Sequence, residues 1–347
     1  MLSASRYAYG AARVRAKKAF MLKLEDYEVM LRAPTFYQAL AHLQSVSDLA
    51  RDIPQTTDPI ELERFLFNRF MEILQSTARM ASGEARAFLE LAFSKYEYET
   101  LKTILKAKFL GLLEDETSLM APPIGRISGS LYTSLISARS IEHAIDLIPN
   151  AELKPIIRES LKQAEELKSP IPIEVAIDRW LYERLWKWAR RLQGDDYKWA
   201  AHFVGLEIDI KNILTLVRGK ELNLQASALD KMWLPLAYRL NIDLSGLASQ
   251  PLPAILQALS ATYYGKAISP LTKSSKEIEK GLQILWLREN ESAFTHYPFT
   301  LGSLYAYANL KYLEVKDVRT ILMSKIMGLP PDKIAPMIIR FSERLSV

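Results

Sequence analysis

Residues Lys95–Lys108, KYEYETLKTILKAK, recur without a gap at Glu207–Lys220 as EIDIKNILTLVRGK and at Tyr312–Lys325 as YLEVKDVRTILMSK. The three stretches share an acid at the third position (Glu97, Asp209, Glu314) and Thr at the ninth (Thr103, Thr215, Thr320). Apolar pairs follow at the tenth and eleventh, and a Lys closes each copy (Lys108, Lys220, Lys325). Apolar residues spaced as in Leu101, Ile104 and Leu105 mark each copy as an amphipathic helix. The acids stand 112 and then 105 residues apart, an interval the size of a small domain and larger than a solenoid unit.

The recurrence extends upstream. Leu62-Glu63-Arg64-Phe65-Leu66-Phe67 lines up with Ile177-Asp178-Arg179-Trp180-Leu181-Tyr182, and a fainter third copy begins at Ile278-Glu279-Lys280. Farther back, Leu31, Ala33, Phe36 and Leu40 match Ile136, Ala138, Ile141 and Ile145 at a constant offset of 105, with a partial echo at Leu252, Ile255, Leu256 and Leu259. Blocks that recur in one order indicate internal triplication rather than chance likeness between amphipathic helices. With breaks near residue 120, near 225 and at the C-terminal tail, the expected domains are 1–118, 119–224 and 225–347.

The same helical period runs through nearly every segment, so the expected fold class is all-α, three similar helical domains. Alternation of the strand type is short, as at Tyr96-Glu97-Tyr98 and Ile208-Asp209-Ile210, and leads directly into helix. Helix breaks are expected at Pro54 to Pro59, Pro122-Pro123 through Gly129, Ser169 to Pro172, Pro251 to Pro253, Ser269 to Ser275 and Pro330-Pro331. At 347 residues and 49% apolar composition, the chain can bury two or three cores. It has no run of about 18 apolar residues and no signal-peptide pattern at its start, and it lacks cysteine, which removes disulfides, thiolate chemistry and Cys-based zinc sites.

Chemistry-bearing motifs are scarce. His42, His143, His202 and His296 are isolated from one another; Gly219-Lys220 and Gly265-Lys266 lack the residues of a phosphate-cradling loop; Glu114, Asp115 and Glu116 read as a solvated polar turn. No cofactor or metal is expected, and no catalytic residue. Trp180 aligns with Phe65, which places that position in a packed core. Aromatics interleaved with bases over Arg179 to Arg191 keep single-stranded nucleic acid binding as an alternative, though without a recognised module. Net charge is +5, and the densest basic run, Arg13, Arg15, Lys17 and Lys18, is either a solvated helix face or a surface for an acidic protein partner or an anionic membrane.

Within the repeated helix an acid near the start and Lys near the end both complement the macrodipole, and Gly111 and Gly328 stand where a C-terminal stop belongs. Glu97 and Lys108 lie roughly 16 Å apart along one helix and cannot pair with each other. The six charged residues Glu97, Lys108, Asp209, Lys220, Glu314 and Lys325 are therefore the candidate contacts, either between repeats or with partners.

These residues also carry a family likeness. The opening Tyr7-Ala8-Tyr9-Gly10-Ala11-Ala12-Arg13-Val14-Arg15, then Glu25-Asp26-Tyr27, Tyr96 through Lys108 and Glu207 through Lys220 resemble the C subunits of archaeal and bacterial A/V-type ATPases, a family related to the eukaryotic V-ATPase d subunits. The resemblance covers essentially the whole chain; it departs at Thr100, where Asn is expected, and in the third copy before Tyr312. It implies three similar helical domains in a pseudo-threefold arrangement around a central cavity. It further implies a noncatalytic rotor adaptor on the cytoplasmic face of the membrane. Such an adaptor joins central-stalk subunits to the membrane rotor ring and transmits torque between ion translocation and ATP synthesis or hydrolysis. Contact with the membrane would then run through the ring and lipid surface, with no nucleic acid bound. A helical scaffold recruiting acidic partners is the other reading.

Overall fold

The recurring stretch is helical at all three places, with the same ending each time. A computed structural model describes residues 2–268 and 274–344, so most of the break expected at Ser269 to Ser275 lies outside the described residues. In chain order the helices are α1 (Leu2–Ala19), α2 (Leu24–Arg32), α3 (Phe36–Val46), α4 (Pro59–Ala78), α5 (Gly83–Phe93), α6 (Lys95–Phe109), α7 (Glu114–Met120), α8 (Gly129–Ile136), α9 (Ile141–Leu147) and α10 (Leu153–Leu167). They continue as α11 (Ile171–Ala189), α12 (Gly194–Glu221), α13 (Ala226–Leu229), α14 (Leu244–Ala248), α15 (Leu252–Ser260), α16 (Ser275–Ser292), α17 (Leu301–Ile326), α18 (Pro331–Ile334) and α19 (Ile339–Arg344). Among the described residues there is no strand, only an isolated antiparallel bridge between Ile124 and Ile127.

Local chemistry sets many of the boundaries. Thr35, Ser140 and Thr300 cap α3, α9 and α17 by accepting from Gln38, His143 and Gly302 backbone N–H groups, and Asp58 caps α4 ahead of Pro59. Prolines punctuate as expected: Pro170, Pro251 and Pro330 immediately precede helices. Glu114, Asp115 and Glu116 correct the expected polar turn, because they form the first turn of α7, where Glu116 accepts from the Leu113 N–H and the acids complement the dipole.

The repeated helices α6, α12 and α17 end in one motif. Gly111 and Gly328 have φ of 70° and 69°, and Asn223 takes the same left-handed turn at 56°. In each case the capping N–H reaches the carbonyl of the closing Lys (Gly111 to Lys108 3.2 Å, Asn223 to Lys220 3.0 Å, Gly328 to Lys325 3.1 Å). The next N–H reaches the residue just before that Lys, from Leu112 to Ala107, Leu224 to Gly219 and Leu329 to Ser324, which completes a Schellman cap. A Cβ in this conformation costs about 1 kcal/mol. Gly328→Ala is expected to lower stability by about that much, while Asn223→Gly is neutral to stabilising by a few tenths; chemical denaturation of both variants checks the pair.

The chain divides into two compact units. The first comprises Met1–Glu97, Ser118–Ser128 and Leu287–Val347, and so holds both chain ends. Its centre is α17, buried continuously from Leu301 to Lys311, which packs against α1, α3, α4 and α5. A helix surrounded on every side must be apolar or paired all round, and Leu304, Tyr305, Ala306, Tyr307, Ala308 and Leu310 meet that condition. Aromatic edges lock the start of the recurring stretch: Tyr96 lies 4.4 Å from Tyr312 and 5.0 Å from Phe70, centroid to centroid.

The second unit comprises Tyr98–Thr117 and Gly129–Trp286. Here α10, α11 and α12 pack in sequence, and the apolar stripe of α12 (Leu206, Ile213, Leu216, Val217) belongs to one core cluster with Ile255 and Leu259 of α15. Leu216 and Leu259 are both fully buried, the condition under which a Leu side chain contributes about 1.5–3 kcal/mol.

Candidate functional site

The six charges singled out in the sequence are all engaged with main chain or with a buried side chain. Asp209 is fully buried and accepts from the backbone N–H groups of Tyr238 (2.9 Å), Arg239 (2.6 Å) and Leu240 (2.9 Å) and from the Tyr264 hydroxyl (2.6 Å). Burial, reinforced by Asp209, pushes the Tyr264 phenol far above its ordinary range, so it remains a donor. Glu97 plays the same part in the first unit, accepting from the Arg126 backbone N–H at 3.1 Å and from Arg126 Nε at 2.8 Å. Gly125, with φ of 56°, permits this approach: a Cβ there would sit 2.2 Å from Glu97 Oε1. Glu314, 2% exposed, accepts from the Leu22 N–H at 3.1 Å and from Lys311 Nζ at 2.6 Å.

The closing lysines bind carbonyls. Lys108 Nζ donates to Ala138 O (2.9 Å), Lys220 Nζ to Ala248 O (3.1 Å), and Lys325 Nζ to Leu31 O (2.7 Å) and Ala33 O (2.6 Å). Ala33 and Ala138 are the residues that align at an offset of 105. Burial lowers the Lys325 ammonium from its ordinary value. The acids and lysines of α6 and α12 thus hold segments that follow their own helices in the chain, whereas Glu314 and Lys325 of α17 hold Leu22, Leu31 and Ala33.

A third set of contacts obeys the same rule and was not foreseen. The aligned acids Glu63, Asp178 and Glu279 each pair with a base from a repeated helix: Arg319 of α17 with Glu63, Lys102 of α6 with Asp178 at 2.8 Å, and Arg218 of α12 with Glu279 at 2.7 Å. Lys211 joins the second pair, reaching Asp178 at 2.9 Å and Glu99 at 3.1 Å, while Lys102 also reaches Glu99 at 2.8 Å. Burial raises Glu63 from its ordinary value, with Arg319 opposing. Burial opposes ionisation of Glu99 too, but there Lys102 and Lys211 prevail and hold the carboxyl well below its ordinary value. The signal was present in the sequence, since these acids occupy the second position of the recurring upstream block. What it lacked was the partner, which comes from a helix up to 256 residues away.

Elsewhere the structure revises two expectations. Trp180 is half-buried rather than in the core, and with Pro155, Ile156, Gln163, Pro172 and Met232 it lines a cleft of about 540 Å³. The packed positions are its neighbours Leu181 and Tyr182, matching Leu66 and Phe67 beside a half-buried Phe65. The basic run of α1 is partly used: Arg15 donates to Phe294 O at 2.9 Å, and Lys18 Nζ stands 5.0 Å from the centroid of the Phe294 ring. Arg and Trp residues in and just after α11 stack on one another, Arg184 on Trp180 at 4.6 Å and Arg191, beyond the helix end, on Trp188 at 4.4 Å.

Among the described residues no cluster of His, Asp and Glu has the grouping a metal ion requires, and no helix is long and apolar enough to cross a membrane. His42 Nε2 sits 3.2 Å from Asp26 Oδ1, and His202 Nδ1 sits 3.2 Å from the Tyr238 hydroxyl. What the charged constellation can do is mechanical: tie consecutive stretches of helix together through buried polar contacts.

A family model described as "ATP synthase (C/AC39) subunit" matches residues 11–337. Among curated proteins, the chain is 25% identical over 344 residues to the C subunit of the A-type ATP synthase of Methanocaldococcus jannaschii, covering 96% of this chain and 86% of that one. It is 27% identical over 343 residues to the C subunit of the A-type ATP synthase of Methanococcoides burtonii, covering 96% and 94%.

Proposed function

Because the chain belongs to the ATP synthase (C/AC39) subunit family, we propose that it is a noncatalytic central-rotor adaptor of an A-type rotary ATPase, joining the central stalk to the membrane rotor ring on the cytoplasmic face. In this reading ion flow turns the ring, the adaptor carries torque to the stalk, and hydrolysis in the head drives the sequence backward. Three repeats in a pseudo-threefold arrangement around a cavity would receive the stalk.

The observation that carries the reading is the return of the chain's end to its beginning: the third repeated helix holds Leu22, Leu31, Ala33 and Glu63 through Glu314, Lys325 and Arg319. A part that transmits torque must resist opening at its weakest join. Tying the third repeated helix to the first segments closes the join at which a row of repeats would splay. The packed interior of α17 adds stiffness. In the same reading, Glu97, Lys108, Asp209, Lys220, Glu314 and Lys325 are inter-repeat fasteners, and partners attach elsewhere on the surface.

Co-purification of the tagged protein from detergent-solubilised membranes of its own source, with the associated chains identified by mass, tests this. A small, very hydrophobic ring subunit together with stalk and head subunits is the expected result. Recovery of soluble acidic proteins alone would reject the adaptor role in favour of a scaffold.

A further inference from the structure

The segment after the last repeated helix is built like the segment after the second, but it is gripped differently. On α12, Asn212 binds the following chain with both ends of its amide, accepting from Leu234 N–H at 2.8 Å and donating to Leu234 O at 3.2 Å and Leu236 O at 3.4 Å. On α17 the same position is Asp317, and it accepts from Ile339 N–H at 3.0 Å and Arg340 N–H at 3.2 Å. Leu234 and Ile339 stand 105 residues apart, as do the fully buried Leu229 and Ile334. Residues 331–344 therefore lie along α17 as a strap, seated by Ile334, Ile338 and Ile339.

Two differences separate the strap from its counterpart. A carboxylate accepts but cannot donate, so Asp317 lacks the carbonyl contacts that Asn212 makes. The second grip also goes elsewhere: Asp209 holds Tyr238, Arg239 and Leu240 farther along the same segment, whereas Glu314 is turned to Leu22. We propose that the C-terminal strap, Pro331–Arg344, is a releasable element of this fold, loosened by negative charge on the buried carboxyl group that grips it.

The charges facing Asp317 come from several elements. Lys316 belongs to α17, Arg340 belongs to the strap and pairs with Glu291 of α16 at 2.6 Å, and Tyr27 faces it from α2, itself beside Glu314 and Asp26. Burial pushes Asp317 up to about 6, against the two N–H groups and the charges of Lys316 and Arg340. Burial likewise raises the Tyr27 phenol, so that group stays neutral throughout. When the strap lifts, Asp317 meets water and returns toward an ordinary aspartate. The closed form then binds more protons than the open one between the ordinary value and about 6, so opening becomes easier as pH rises through that window and harder as it falls.

Amide hydrogen exchange on the full-length chain, corrected for the intrinsic pH dependence, reads this directly. Protection of the Ile339 and Arg340 amides is expected to fall about tenfold between pH 5 and pH 7.5 in the native chain, and to stay flat in Asp317→Asn. Equal slopes in the two proteins, or protection that follows global unfolding at every pH, overturns the proposal. A carbon-13 carboxyl titration of Asp317 in the unmodified chain is independent of how the variant folds: a midpoint near 6 supports the strap, and one at the ordinary aspartate value rejects it.

Discussion

Replacing Asp209 with alanine is expected to destabilise the protein by about 4 kcal/mol, the largest effect of any single substitution among the fasteners. The carboxylate has no exposed surface and collects four donors, three of them main-chain N–H groups. Each buried donor left unsatisfied costs about 1–3 kcal/mol, and the cavity left by a shortened side chain admits water to only some of them. Tyr264→Phe removes one hydrogen bond to the carboxylate and leaves the other three, so about 1.5–3 kcal/mol is expected. Urea unfolding of both variants ranks them; a Tyr264→Phe loss equal to that of Asp209→Ala would mean that the main-chain contacts contribute nothing net.

Arg319→Ala is expected to cost about 2–3 kcal/mol, more than removing either of the equivalent bases. Exposure decides the order. Glu63 is 2% exposed and would be left without its cation, although Arg319 itself is 30% exposed, so solvent entering its place softens the loss. Lys102→Ala leaves Asp178 with Lys211, and about 1–2 kcal/mol is expected. In the third pair Arg218 is 39% and Glu279 36% exposed, where screening reduces the effect below about 1 kcal/mol. The combined variant Glu63→Ala/Arg319→Ala should recover part of the Arg319→Ala loss, because the orphaned carboxylate is gone; a double-mutant cycle measures this, and strict additivity would deny the coupling.

The helical character and the recurring stretch were legible because period and spacing are local properties. KYEYETLKTILKAK reads as a helix wherever it is placed, and its Gly-containing cap can be read in two of the three copies; Asn223, which takes the same left-handed turn, hides the third behind a different residue. The charges were visible, but their targets were not. Lys108, Lys220 and Lys325 bind carbonyls of Ala138, Ala248, Leu31 and Ala33, and a carbonyl carries no mark in the sequence. Tyr264 was equally silent, since a buried Tyr beside apolar neighbours announces core rather than a donor to Asp209. Trp180 misled for a different reason: alignment with Phe65 establishes equivalence, and both positions turn out to be half-buried, one residue away from the packed pair.

The discontinuous first unit has a consequence on the ribosome. Its opening segment, up to Glu97, is made before about 190 further residues, and only then does synthesis reach Leu287 and the α17 that fills its centre. At about 5–20 residues per second, the nascent chain spends roughly 10–40 s with Leu40, Leu66 and Phe70 lacking their final neighbours. The second unit, whose last residue is Trp286, can mature during that interval. Emergence of α17 is therefore the committing event of biogenesis, and a nascent chain stalled before Leu301 should engage chaperones that the released, full-length chain does not.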